Sequence, residues 1–251
     1  MRGAVLVGAG VLLAGANPAF ADPRLDEVVY SPYIENHELE LESRVATEVG
    51  HGDLKGATTV VEELEAGLND RVSLALVVPI EREPGERARA TGVGLESIFY
   101  IGQIPGLGVD VGAYLELTKG LGDEEDTGEA KLLLAKTAGR FQGLFNFIVE
   151  RPFNAPHGEG FASYGYAASA TWRTVGTLRL GVEAFGDLGD DHGFLRGGQG
   201  AYVGPQLLWE ATPRGSPVEI EVDAGWLASV GAARGEAPSQ ARLKIGLARR
   251  F

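Results

Sequence analysis

From residue 38 to the end of the chain, apolar and polar residues alternate with a period of two, in about twelve segments of roughly ten residues each. Val72, Leu74, Leu76, Val78 and Ile80 share one face of segment 71–81. In 107–118, Leu107, Val109, Val111, Ala113, Leu115 and Leu117 lie opposite Asp110, Tyr114 and Glu116. In 141–150, Phe141, Gly143, Phe145, Phe147 and Val149 oppose Gln142, Asn146 and Glu150. In 218–228, Val218, Ile220, Val222, Ala224 and Trp226 oppose Glu219, Glu221 and Asp223. In 241–251, Leu243, Ile245, Leu247 and Phe251 oppose Arg242, Lys244 and Arg250. Such a pattern specifies β-strands with one apolar and one polar face, and no stretch of helical period competes with it after residue 21.

The remaining segments are 38–49, 57–68, 90–101, 129–138, 161–173, 177–187 and 200–211. Three read less clearly. The apolar face of 57–68 (Val60, Leu64, Ala66, Leu68) also carries Glu62. Leu132-Leu133-Leu134 masks the phase of 129–138. Pro205 sits inside 200–211, where it removes a ladder hydrogen bond unless a bulge relieves it.

The connections sharpen the reading. Links near 50–56, 82–89, 119–128, 151–160, 188–199 and 229–240 are long and rich in Gly, Pro and charge, whereas Asn69-Asp70, 102–106, Gly139-Arg140, 174–176 and 212–217 are mostly tight. Strict alternation of long and short links is the signature of a bacterial outer-membrane barrel, with short periplasmic turns and longer outside loops. A soluble sandwich has no reason to alternate this way. The expected fold is therefore all-β: a transmembrane antiparallel up-and-down β-barrel of about twelve strands. A bilayer strand needs about 9–11 tilted residues, and every backbone group must pair within a closed sheet. Tyr164, Tyr166, Trp172, Trp209, Trp226 and Phe99 fall on the outward phase and suit an aromatic girdle.

Composition agrees with an inside-out protein. The formal charge is −13 with a pI near 4.8, yet mean hydropathy is −0.01. So acidic a chain is not a nucleic-acid binder, and without Cys it holds neither disulfide nor thiolate metal site. The 37 glycines suit strands and bends more than helices. Residues 1–21 combine Arg2, an apolar run from Ala4 to Ala16 and the small-x-small end Ala19-Phe20-Ala21, so a secretory signal peptide is expected, with the mature chain starting at Asp22. Residues 22–37, with Pro23, Pro32 and several acids, are expected to form either a plug in the lumen or a periplasmic tail, and 38–251 the barrel.

The chain resembles small Gram-negative outer-membrane barrels of the porin or transporter-like kind. Leu243-x-Ile245-x-Leu247-x-Arg249-x-Phe251 resembles the C-terminal strand read by the barrel-assembly machinery, which makes Phe251 the implied assembly signal. Arg249 departs from the apolar or aromatic residue usual at its place and can snorkel to the interface. Tyr30-Ser31-Pro32-Tyr33-Ile34-Glu35, followed by Glu38-Leu39-Glu40-Leu41-Glu42, resembles the opening of a proteobacterial barrel family without an assigned substrate. The implied partners are outer-membrane lipid, the assembly machinery and small solutes.

With apolar residues facing lipid, the lumen receives Glu38, Glu40, Glu42 and Arg44 from the first strand and Glu63 and Glu65 from the second. It receives Glu219, Glu221 and Asp223 from the eleventh, and Arg242, Lys244 and Arg250 from the twelfth. Closure then sets a basic strand between two acidic ones, a ladder of opposite charges worth roughly 0.2–1 kcal/mol per exposed pair. Glu96, Asp110, Glu116, Glu150, Arg173, Arg179, Glu183 and Glu210 complete the inward set. Acids exceed bases, so a channel with this lining is expected to pass small cationic or neutral solutes. The other readings are a closed barrel with a structural, adhesive or sensing role, and a lipid-modifying enzyme.

An enzyme of that kind needs a Ser nucleophile beside a His base. None of His37, His51, His157 and His192 forms a His-x-Ser pair, and His157 lies on a loop six residues before Ser163. No enzyme activity and no cofactor are expected. The carboxylates of Asp190-Asp191-His192 and of Asp123 to Asp126 lack the ordered spacing of a calcium loop. They read as solvated loop charge rather than a metal site.

Overall fold

A computed structural model describes residues 25, 27–51, 54–154, 160–195, 200–235 and 239–251. Residues 1–21, where a signal peptide is expected, and His157 lie outside these. The described chain is built from strands: β1 (Glu38–Val49), β2 (Thr58–Asn69), β3 (Val72–Arg82), β4 (Arg89–Ala90), β5 (Gly92–Ile104), β6 (Val109–Gly120) and β7 (Thr127–Ala138). They continue with β8 (Phe141–Pro152), β9 (Ser163–Arg173), β10 (Arg179–Asp190), β11 (Gly200–Ala211), β12 (Val218–Gly231) and β13 (Ser239–Arg250). Each long strand pairs antiparallel with its chain neighbours, and β1 pairs with both β2 and β13, so twelve long strands close into a barrel. Among the described residues no helix is long and apolar enough to cross a membrane, and the crossing elements are the strands.

The short extra strand, β4, has a local cause. Pro79 has no N–H to give the ladder. Pairing of β3 with β5 stops at Val77 with Gly94, and it resumes one residue out of register through β4, with Ile80 opposite Ala90. At Pro205 no bulge relieves the lost ladder hydrogen bond. β11 and β12 keep one register on either side of it, and the ladder simply skips Gly204 and Pro205.

The two faces of the sheet are inverted relative to a soluble protein. Leu117 is 63% exposed and Leu95 57%, while on the other phase Glu96 is 1% exposed and Asn146 is fully buried. The apolar band faces outward, where lipid replaces water, and the polar set is enclosed. Outward aromatics gather near both ends. Phe141 stands opposite Trp172 beside the short turns, and Tyr164 contacts both Phe147 and Phe194 beside the long loops. Tight turns such as Gly139-Arg140 lie at one end, with the meeting point of His37 and Phe251, whose amide donates to the His37 carbonyl at 2.9 Å.

Candidate functional site: a lumen divided by the N-terminal segment

Residues Leu25 and Glu27–His37 run inside the barrel, from the end that holds the short turns toward its middle. Three sets of contacts fix them. At mid-barrel the Tyr30 amide donates to Asn146 Oδ1 at 2.7 Å and Asn146 Nδ2 donates to the Tyr30 carbonyl at 2.9 Å. Glu27 accepts from Lys131 Nζ at 2.6 Å, and that ammonium lies 4.5 Å and 4.6 Å from the ring centres of Tyr30 and Tyr114. Lower down, the Tyr33 hydroxyl donates to Asp110 at 2.8 Å. Pro32 is packed on β6, where Gly112 leaves the space: a Cβ there would lie 2.7 Å from the Pro32 side chain.

Apolar contacts help. Val29 packs against a cluster that includes Ile148, Phe185, Tyr202 and Leu227. Tyr30 and Ile34 pack against Ile98, Tyr114 and Leu133. These inward apolar residues exist because something apolar covers them; without the segment they would line water.

The Tyr30 hydroxyl is the hub of the middle layer. It accepts from Arg44 at 2.8 Å and donates to Glu96 at 3.2 Å, and Tyr114 reaches the same Glu96 oxygen at 3.1 Å. Arg44 also pairs with Glu63 at 3.0 Å and Glu42 at 3.4 Å. In this layer each buried charge thus meets opposite charges or hydroxyls, as a low-dielectric interior requires.

Two cavities of about 510 and 640 Å³ lie on either side of this layer, and they share only Leu25, Tyr30 and Arg44. The first opens among the short turns and receives Glu40, Glu42, Glu63, Glu65, Glu183, Glu219, Glu221, Asp223, Arg242 and Lys244. The second lies toward the long loops and receives Glu116 and Glu150. Four residues of the expected lining touch neither cavity. Glu96 is sealed beneath the two tyrosines. Asp110 is taken up by Tyr33, Tyr100 and Gln103. Arg173 and Arg179 stand opposite each other at the rim. At the closing seam Lys244 reaches Glu42 at 2.7 Å and Glu221 at 3.4 Å, across β1 and β12.

Glu27, Tyr30, Lys131 and Asn146 belong to this site as well, though no lumen role is assigned to them from the sequence. Lys131 was recoverable, since Glu129 and Lys131 alternate with Gly128, Ala130 and Leu132 just before the leucine run. The loop acids serve local structure. Asp126 accepts from Lys119 at 2.7 Å and from the Gly120 amide at 3.0 Å. Asp191 accepts from Tyr164 at 2.7 Å and from the Ala162 amide at 3.1 Å. These hydrogen bonds hold both carboxyls below their ordinary value. Among the described residues no cluster of His and acidic groups is arranged to hold a metal ion. His192 packs edge-on against Phe161 at 4.1 Å, and His37 lies edge-on to Phe251 at 5.8 Å.

Solved structures share this architecture. The COG4313 outer membrane channel from Pseudomonas putida F1 superposes with a TM-score of 0.58 at 13% identity, over 92% of this chain and 99% of that one. The KdgM porin does so with a TM-score of 0.52 at 9% identity, over 84% of this chain and 99% of its own. The KdgM porin in complex with disordered oligogalacturonate gives 0.52, 9%, 85% and 99%. At these identities the likeness is one of fold, and the fold is that of outer-membrane β-barrel channels and porins. No protein-family model and no curated protein matches the chain.

Proposed function

We propose that this protein is an outer-membrane channel for small cationic or neutral solutes, exported by residues 1–21 and closed at rest by its own residues 27–37. The observation that carries the selectivity is the charge of the two cavities. Eleven carboxylates and four cationic side chains line the first, and nine and two line the second. An acid excess on both sides of the constriction concentrates cations and repels anions by the logic of charged pore rings. Outer-membrane lipid surrounds the apolar band, and Phe251, exposed at the rim, is the residue offered to the assembly machinery.

The test is reversal potential in planar bilayers under a KCl gradient, for the whole chain and for a chain lacking 22–36. Cation preference is expected, with larger and more frequent openings after truncation. Anion preference overturns the selectivity. A truncated barrel that stays silent favours the second reading, a closed barrel with a structural, adhesive or sensing role, which the sealed Tyr30 layer supports.

A further inference from the structure

The cavity at the short-turn end carries a more specific arrangement on the wall formed by β9 to β12. Gln206 is held in place from both sides: its Oε1 accepts from Ser169 Oγ at 2.7 Å and its Nε2 donates to Asp223 Oδ2 at 2.8 Å. Beside it Glu183, only 5% exposed, extends across β11 toward β12. Its carboxylate fills the space that a β-carbon at Gly225 would need. Gly225 has no positive φ, so its backbone does not require glycine there; the space it leaves is what the carboxylate uses. Glu183 Oε1 accepts no hydrogen bond, and neither does the hydroxyl of Thr171, 4% exposed on the same wall. The charged groups acting on Glu183 are Arg242 and Asp223. Arg242 also has contacts elsewhere: its guanidinium stacks at 4.2 Å on the Phe185 ring and donates to the Leu25 carbonyl.

A buried carboxylate oxygen with no donor, next to a second carboxylate fixed by an amide, is matched by a ligand that brings several N–H donors and positive charge. We propose that Glu183 and Asp223, with Thr171 and Gln206, form a binding subsite for the ammonium group of a small organic amine. The subsite rests on the channel reading only for its purpose, because the cavity opens at the short-turn end and is reachable whether or not the segment moves.

The test is isothermal titration of the purified full chain in detergent with cadaverine, and with its diol analogue as the uncharged counterpart. Cadaverine is expected to bind and the diol to bind at least about tenfold more weakly, charge-assisted hydrogen bonds being roughly twice as strong as neutral ones. Glu183→Gln and Asp223→Asn are each expected to weaken cadaverine about tenfold. Gly225→Ala, which changes no charge, is expected to weaken it too by displacing the Glu183 carboxylate. Glu86→Gln, on an exposed loop away from both cavities, removes the same unit of charge and is expected to leave binding unchanged. Heat-modifiable migration on gels verifies that each variant is folded. Equal cadaverine affinity in wild type, Glu183→Gln and Asp223→Asn overturns the subsite, as does preference for the diol. Either result leaves the reversal-potential test of the channel standing on its own.

Discussion

Tyr30 and Asn146 lie 116 residues apart and exchange two hydrogen bonds, the tyrosine amide and carbonyl each meeting one end of the asparagine carboxamide. A side chain here does what a neighbouring strand does elsewhere in the barrel. It satisfies both backbone groups of a residue that has no ladder of its own.

Asn146→Ala removes that clamp while leaving the wall intact. Two buried backbone groups lose their partners, at roughly 1–3 kcal/mol each. We expect more frequent openings in single-channel records and faster proteolysis at the N-terminal segment, without loss of the barrel. Unchanged gating and protection would show that this clamp does not hold the segment in place.

Arg44 joins Tyr30 to Glu63 and Glu42 at the boundary of the two cavities. Arg44→Met strands buried carboxylates and should cost roughly 3–5 kcal/mol, the usual effect of breaking a buried pair from one side. Arg44→Lys should recover only part of this, because an ammonium lacks the planar fork that serves three partners together. The measurement is the temperature at which the folded band gives way to the unfolded one on gels. Full recovery by lysine would show that charge alone, not geometry, is needed.

Glu62 is a carboxylate on the outward phase of β2, close to mid-strand, and it accepts from Ser43 on β1 at 2.9 Å. Lipid-facing Arg or Lys at the midplane costs roughly 2–4 kcal/mol, and an acidic residue less. Glu62→Leu is therefore expected to raise the gel-shift temperature, and Ser43→Ala alone to lower it. A drop on Glu62→Leu would mean that this carboxylate has a partner beyond the barrel itself.

Asp126 stands in the loop between β6 and β7, where the Lys119 ammonium and then the Gly120 amide hold its carboxyl below the ordinary value. A carboxyl depressed on folding stabilises the folded loop above its unfolded pKa, about 3.9. That contribution fades as pH falls through the lower folded value. The loop contacts should thus persist near pH 4 and loosen only in stronger acid. In Lys119→Met the carboxyl midpoint should move upward in an NMR titration; an unmoved midpoint contradicts the assignment.

Period-two alternation made the barrel legible because lipid outside and a polar lumen inside impose opposite chemistry on adjacent residues. The inward phase of Glu40, Asp110 and Glu221 could be read one strand at a time. Where three leucines run together the alternation disappears, and Lys131 went with it. The N-terminal segment was beyond reach for a different reason. Tyr30 has no periodic neighbours, and its partners, Asn146, Glu96 and Arg44, are brought together only when the sheet closes. The one-residue slip at Pro79 was equally hidden, since a proline announces a lost donor but not how the ladder repairs itself.

The segment proposed to close this barrel is tethered to its rim at residue 38. Whenever it leaves its seat it stays within reach, at an effective concentration of about millimolar for a short flexible tether. On the proposed channel reading, a solute crossing the Tyr30 layer therefore contends with a competitor that dilution cannot remove. A free peptide of the same sequence, offered to a barrel stripped of its own, would have to be supplied at comparable concentration to reseal it.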